Sequence, residues 1–319
     1  MMSVTEHRGV SVQSALAIAG ARLLLRPLIA LYPVRSWSFV PLALSEGLAN
    51  LIGWTPSDVE VERIVLSGVP VERLVPTAGH LRPDDAICYY HGGAFLTGGP
   101  GTHRRLAAAL ARALGVTVFN VDYRQLPAGG VGTSVDDAYR VYRAVMDSGR
   151  YRQVAVGGDS AGGYIAAKVV ELAHMDAVRS PAAYFGFSPL LTPTVAADDP
   201  RHDVDDAYLT VGKLAGLRRF FDRGPIAFRG HDDATEIDPA AFPPALVIAC
   251  TGEMLRIDAE RLHEHLDRAG RPCELHLYEG GVHAFPVLAG ATPESAQAVQ
   301  ITTLFLEAAF DARLQYRAA

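Results

Sequence analysis

Cysteine is scarce in this chain, with three in 319 residues: Cys88, Cys250 and Cys273. An odd, widely spaced trio offers neither a disulfide framework nor paired metal-ligand spacing. Each lies in or beside an apolar run, so all three read as small buried hydrophobes of a reducing, cytoplasmic compartment. Basic charge is short too: 29 Lys and Arg face 35 Asp and Glu, a net charge of −6. No cluster of Lys and Arg with interleaved aromatics presents a field to a phosphate backbone, which excludes nucleic acid as an expected partner. No glycine-rich stretch carries the lysine or the G-x-G-x-x-G register of a phosphate or dinucleotide cradle. His263 and His265, two apart, cannot face one metal from one side of a helix and read as surface residues, while His202 and His231 sit among aspartates that read as a solvated face. Neither cofactor nor metal is expected.

Long unbroken apolar runs are also missing. The stretch from Val12 to Val34 comes nearest, but Arg22 and Arg26 interrupt it and Pro27 and Pro33 should break it, leaving less than the ~20 residues of a membrane span. Helices lying on the protein's own body are expected there. A peripheral lipid contact stays open, because Leu23, Leu24, Leu25, Leu28, Ile29 and Leu31 would form an apolar face beside the arginines.

What is present is core-forming sequence, 49% hydrophobic and 20% charged, enough for one large α/β domain. Short β-branched runs alternate with Ala- and Leu-rich helical runs from residue 60 onward, the pattern of a mostly parallel sheet covered on both faces. An antiparallel hairpin over Val59–Leu66 and Val71–Val75 opens the series. Strands then follow at Ala86–Tyr90, Val116–Val121, Gln153–Val156, Ala182–Phe187, Ala245–Cys250 and Glu274–Tyr278. The intervening helices are Thr102–Leu114, Asp136–Met146, Gly162–Ala173 and Ile257–Ala269, with a last one within 293–309. Residues 1–55 and 190–240 fall outside this rhythm and are expected to meet as a cap, with a helical piece at Val211–Phe221. The core is then split into 56–189 and 241–319. An insertion of that size in a sheet domain is usually a lid or binding loop.

Gly158-Asp-Ser160-Ala-Gly162 is a G-x-S-x-G between a strand and a helix. A serine on so sharp a turn is pushed into a cleft at a helix N-terminus, where the Ala161 amide and the helix dipole favour a developing oxyanion. Upstream, His91-Gly92-Gly93-Ala94-Phe95 directly follows a strand. Its glycines let backbone N–H groups face a ligand, so Gly92 and Gly93 are the expected second half of the oxyanion hole. His91 is expected to brace that loop through hydrogen bonds.

With these motifs, with Val121-Asp-Tyr-Arg124 and Pro127, and with Tyr278-Glu-Gly-Gly-Val-His-Ala-Phe285, the chain resembles the hormone-sensitive-lipase family of α/β-hydrolases, the bacterial family IV esterases. The resemblance implies an α/β-hydrolase fold of about eight strands with a helical cap, and short- to medium-chain acyl esters as substrates. Ala94 agrees with the family. Tyr123-Arg-Gln-Leu-Pro-Ala128 departs from its usual Y-R-L-A-P-E, and Glu253 stands where an Asp is usual.

The expected catalytic set is Ser160 as nucleophile, His283 as base and Glu253 as the carboxylate that orients it. His283 follows two glycines after the last strand. Glu253 follows its strand at once, whereas Asp258 would fall inside the next helix, as a first-turn charge on the dipole. Asp159, Asp122 and Arg124 read as structural groups holding the elbow and its neighbouring strand. Alternatives with the same residues are a lipase at a lipid surface, an amidase or a lactonase. A catalytically silent receptor is disfavoured, because His283 is present. The acyl pocket is assigned to the cap, including residues near Trp37 and Phe39. A homodimer through a sheet edge is a family-level expectation.

Overall fold

Strand β4 (Asp85–Tyr90) is buried along its whole length. Ala86, Cys88 and Tyr90 enter one core while Ile87 and Tyr89 enter the other. A strand covered on both faces needs apolar side chains at every position, which explains the near-continuous hydrophobic runs. The computed structural model describes residues 4–33 and 56–318. The other strands are β1 (Val4–His7), β2 (Val59–Leu66), β3 (Val69–Pro76), β5 (Thr117–Val121), β6 (Gln153–Asp159), β7 (Tyr184–Phe187), β8 (Ala245–Cys250) and β9 (Cys273–Tyr278). They form one sheet in the order β1-β9-β8-β7-β6-β4-β5-β3-β2. Only β3 runs antiparallel to its two neighbours, β2 and β5. The remaining pairs are parallel.

Helices α3 (Pro100–Leu114) and α8 (Pro293–Ala318) cover one face, and α4 (Val131–Asp147), α5 (Ala161–Met175) and α7 (Arg256–Arg268) cover the other. Such crossovers bring the carboxyl ends of the parallel strands to one rim, where ligands of open α/β sheets bind.

Two findings depart from expectation. First, residues assigned to the cap supply a ninth strand. β1 pairs in parallel with β9, and His7 stacks on Tyr278 with ring centres 4.1 Å apart. Four residues are too short for a periodic signal, and only the partner strand defines them.

Second, Pro27 does not break the apolar stretch. The chain is helical from Val12 through Leu31, with mean hydropathy 1.6, long and apolar enough to cross a membrane by length and composition. It comprises α1 (Val12–Gly20), a π-helical turn (Ala21–Leu25) and α2 (Arg26–Leu31). Within the π turn the Arg26 N–H reaches the Ala21 carbonyl. The wider turn precedes a proline near the start of α2, where its missing N–H is tolerated. Nor does this helix bury its face: only 11% of the span is buried, and Leu16, Leu23, Leu24, Leu28 and Leu31 are exposed. Trp37 and Phe39 lie outside the described residues.

The segment over 190–240 contains α6 (Val211–Arg218) and touches the N-terminal helix. Arg26 pairs with Asp205 at 2.7 Å, and Lys213 Nζ donates to the Tyr32 carbonyl at 2.5 Å. Its anchor is Arg201, fully buried against Asp199 at 2.9 Å and Asp258 at 3.2 Å. Asp258 does lie in the first turn of α7. Beyond a charge on the dipole, it accepts the backbone N–H groups of Leu191 and Thr192, where the segment leaves the sheet. Burial pushes the Asp258 carboxyl up to about 6, against the opposing pull of Arg201.

Candidate active site

β6 delivers Ser160 to the rim, and α5 begins at the next residue. Between them the serine is held at φ 51°, ψ −120°, a region that non-glycine residues enter at a cost. Its N–H donates to the Phe187 carbonyl and its own carbonyl accepts from Leu190. The turn is tight enough that a Cβ at Gly162 would lie 1.9 Å from the Tyr90 carbonyl oxygen. A glycine is required there by contact.

His283 Nε2 lies 2.9 Å from Ser160 Oγ, and its Nδ1 lies 2.6 Å from Glu253 Oε2. Histidine and glutamate are both buried. Burial acts to lower the His283 pKa, but the Glu253 hydrogen bond and charge, with Asp206 and Asp159 behind them, outweigh it and hold the pKa above its ordinary value. The sequence's nucleophile, base and acid therefore converge in one chain of hydrogen bonds.

The oxyanion loop needs one correction. Gly92, expected to donate to an oxyanion, gives its N–H to Asp159 Oδ1 at 2.9 Å. A Cβ at that position would lie 2.1 Å from the same carboxylate. The glycine is there so that the loop can sit on Asp159. The turn that follows is left-handed at Gly93, Ala94 and Phe95 (φ 114°, 56° and 60°), and the N–H groups of Gly93 and Ala94 meet no acceptor among the described residues. Ala161 opens α5, so its N–H has no partner within the helix.

His91 lies beneath this loop. It is fully buried, its ring is stacked on Tyr123 at 4.3 Å, and its Nδ1 donates to the Gly92 carbonyl at 2.7 Å. Burial, followed by the neighbouring His103, pulls its pKa down to about 3. A neutral ring is the form able to brace a loop and not to exchange protons near neutrality. Asp159 also accepts from Tyr89 Oη at 2.6 Å. Burial raises its pKa, but His103, Tyr89 and His91 together hold it below the ordinary carboxylate value. Arg124 forks onto Asp137 of α4 with two bonds of 2.8 Å, so it fastens that helix and not the elbow. His263 is buried, not on the surface.

The sequence reading missed three groups near the triad. Ser188 contacts Glu253 Oε1 at 2.6 Å. Asp206 holds the Met254 N–H, next to the acid, at 3.0 Å. Tyr208 donates its hydroxyl to the His283 carbonyl at 3.1 Å. Each lies in or beside the long cap insertion, where no periodicity or spacing marks it. Ala94, by contrast, stands inside a motif already singled out.

A serine at a strand-to-helix elbow, hydrogen-bonded to a histidine and through it to a glutamate that follow later strands of a parallel sheet, is the arrangement of the α/β-hydrolase class. Residues 87–287 match the alpha/beta hydrolase fold family, and the chain belongs to it. It is 32% identical over 243 residues to the esterase LipU of Mycobacterium tuberculosis, covering 72% of this chain and 80% of that one. Identity is 28% over 328 residues to the carboxylesterase/phospholipase LipF of the same organism, covering 98% and 86%. Among solved structures, an esterase of the bacterial hormone-sensitive lipase family shares the fold with a TM-score of 0.77 at 24% identity, over 94% of this chain and 98% of that one. An esterase/lipase from an uncultured bacterium reaches 0.80 at 22% identity, over 95% and 100%.

Proposed function

We propose that the chain is a serine carboxylic-ester hydrolase acting on short- to medium-chain acyl esters, with Ser160, His283 and Glu253 as its triad. The observation that carries this reading is the hydrogen-bond line from Ser160 Oγ through both nitrogens of His283 to Glu253 Oε2. Ser160 Oγ attacks the ester carbonyl carbon while His283 Nε2 takes its proton. The carbonyl π pair moves onto oxygen, opposite the N–H groups of Gly93, Ala94 and Ala161. When the intermediate collapses, the C–O bond to the alcohol breaks and His283 returns the proton to the departing oxygen. Water then attacks the acyl-enzyme by the same route and releases the acid. Glu253 keeps the Nδ1–H tautomer in place and supports the imidazolium. The acetyl-hydrolase of Streptomyces hygroscopicus, 29% identical over 260 residues, supports small acyl groups.

The test is hydrolysis of p-nitrophenyl esters from acetyl to palmitoyl by the wild type and by Ser160→Ala. A loss of roughly 10⁶ in kcat is expected, with the best chain length reporting the depth of the acyl pocket. Equal rates for the two proteins on every ester would sink the reading.

A second reading, action at a lipid surface, is favoured by one observation: the exposed leucines of the Val12–Leu31 helix. Such a face beside arginines suits an interfacial helix. Turnover that jumps once the substrate exceeds its solubility supports it, and a smooth saturation curve through that limit counts against it.

A further inference from the structure

We propose that Ser188 is a positioning residue that locks the acid and the base into mutual register; the inference rests on reading Ser160, His283 and Glu253 as the triad. Ser188 is the first residue after β7 and is fully buried. Its hydroxyl donates to Glu253 Oε1 at 2.6 Å and accepts the Ala284 N–H at 2.9 Å. One side chain thus bonds the carboxylate and also the residue following His283.

The need for such a clamp follows from the acid being glutamate. Its extra methylene adds a torsion that an aspartate lacks, so holding one oxygen does not fix the head. His283 occupies Oε2, while Oε1 takes Ser188 and the Cys250 N–H at 2.7 Å. The Cys250 N–H belongs to the acid's own turn and cannot relate that turn to the histidine loop. Ser188 does so.

The backbone supports the same conclusion. Ser188 is held at φ 46°, where glycine would be at ease and other residues are strained. Its N–H donates to the Ile248 carbonyl, and on either side of it Phe187 and Leu190 bond the backbone of Ser160. The segment 187–190 therefore bonds Ser160, Glu253 and the residue that follows His283. Strain is accepted at a position where the hydroxyl has somewhere specific to be.

The test compares wild type, Ser188→Ala and Ser188→Gly, the glycine variant being the one that accommodates the positive φ. Losing a hydrogen bond to a charged group should lower kcat roughly ten- to a hundredfold in both variants, with KM unchanged. In a Glu253→Ala background the same replacements should cost nothing further, because the clamp acts only through the acid. Losses that simply add, or an unchanged kcat in Ser188→Gly, overturn the proposal. A substrate-independent reading comes from the low-field proton resonance of His283 Nδ1–H, expected to be sharp in the wild type and lost in Ser188→Gly. Its persistence overturns the clamp. Its loss in a protein that turns over no ester leaves the clamp standing and removes the esterase reading instead.

Discussion

Around Ser160 the polar groups are buried and committed. His283, Glu253, Ser188, His91 and Asp159 are each below 9% exposed and hydrogen-bonded. Along the helix over Val12–Leu31 the opposite holds, with Leu23 74% and Leu31 84% exposed. In the first region Glu253, Ser188 and Asp159 each have two or more partners, as preorganised charge stabilisation demands. In the second, apolar surface is left facing outward: the start of α1 is tied to α8 by Ser11 and Ser14 on the buried Glu294, and beyond it the helix meets the rest through Arg22 and Arg26 on Asp205 and the Lys213 bond to the Tyr32 carbonyl. Exposed pairs of this sort contribute little. Polar commitment is concentrated in the floor beneath the site, and apolar exposure on the helix beyond its first turn.

Substitutions at the floor should sharpen this contrast most. Glu253→Gln should cost about 10⁴-fold in kcat, since the wrong tautomer of the base is then favoured. The neutral imidazole is the active form, so wild-type activity falls as pH drops through the raised His283 pKa. Without the carboxylate burial prevails and the acid limb moves to lower pH. A pH–rate profile whose acid limb stays in place or rises contradicts this account.

An intermediate effect is expected at the joint between floor and cap. Arg201→Met leaves Asp258 buried without its cation, a loss of about 3 kcal/mol in stability at pH 8. Asp258 has a folded pKa of about 6, above its unfolded value, so stability linked to it is full below about pH 4 and lost as pH rises through about 6. Removing Arg201 extends that loss upward. Thermal melts should show a larger deficit at pH 8 than at pH 5, and equal deficits would break the argument.

The smallest effect on stability should come from the outer helix. The triple replacement of Leu23, Leu24 and Leu28 by Gln should change stability by less than about 0.5 kcal/mol per site and leave hydrolysis of soluble acetyl esters unaltered. Hydrolysis of long-chain esters in dispersed droplets should fall. A large drop in the melting temperature would mean that this face is covered after all.

The same division governs what could be read in advance. The elbow and the loop after β4 announce themselves because close contact, with the Tyr90 carbonyl at Gly162 and with the Asp159 carboxylate at Gly92, forces glycine, so sterics appear directly as letters. The helices of the two covering layers are legible as Ala- and Leu-rich runs between β-branched ones. Gly92 was placed in the right loop with the wrong task, because which N–H turns inward depends on Asp159, a contact across the sheet. Ser188, Asp206 and Tyr208 were illegible for the same reason: each is defined by a partner at least 48 residues away. The proline at position 27 misled, because a π turn absorbs what an α-helix could not.

The ninth strand has a consequence for the order of events on folding. β1 precedes its partner β9 by most of the domain, and His7 meets His276 across 269 residues. That edge of the sheet cannot close until β9 has been synthesised and loop closure over that span has been accomplished. Until then the edge of β9 that receives β1 presents unpaired backbone to other chains, and docking of four residues is what closes it.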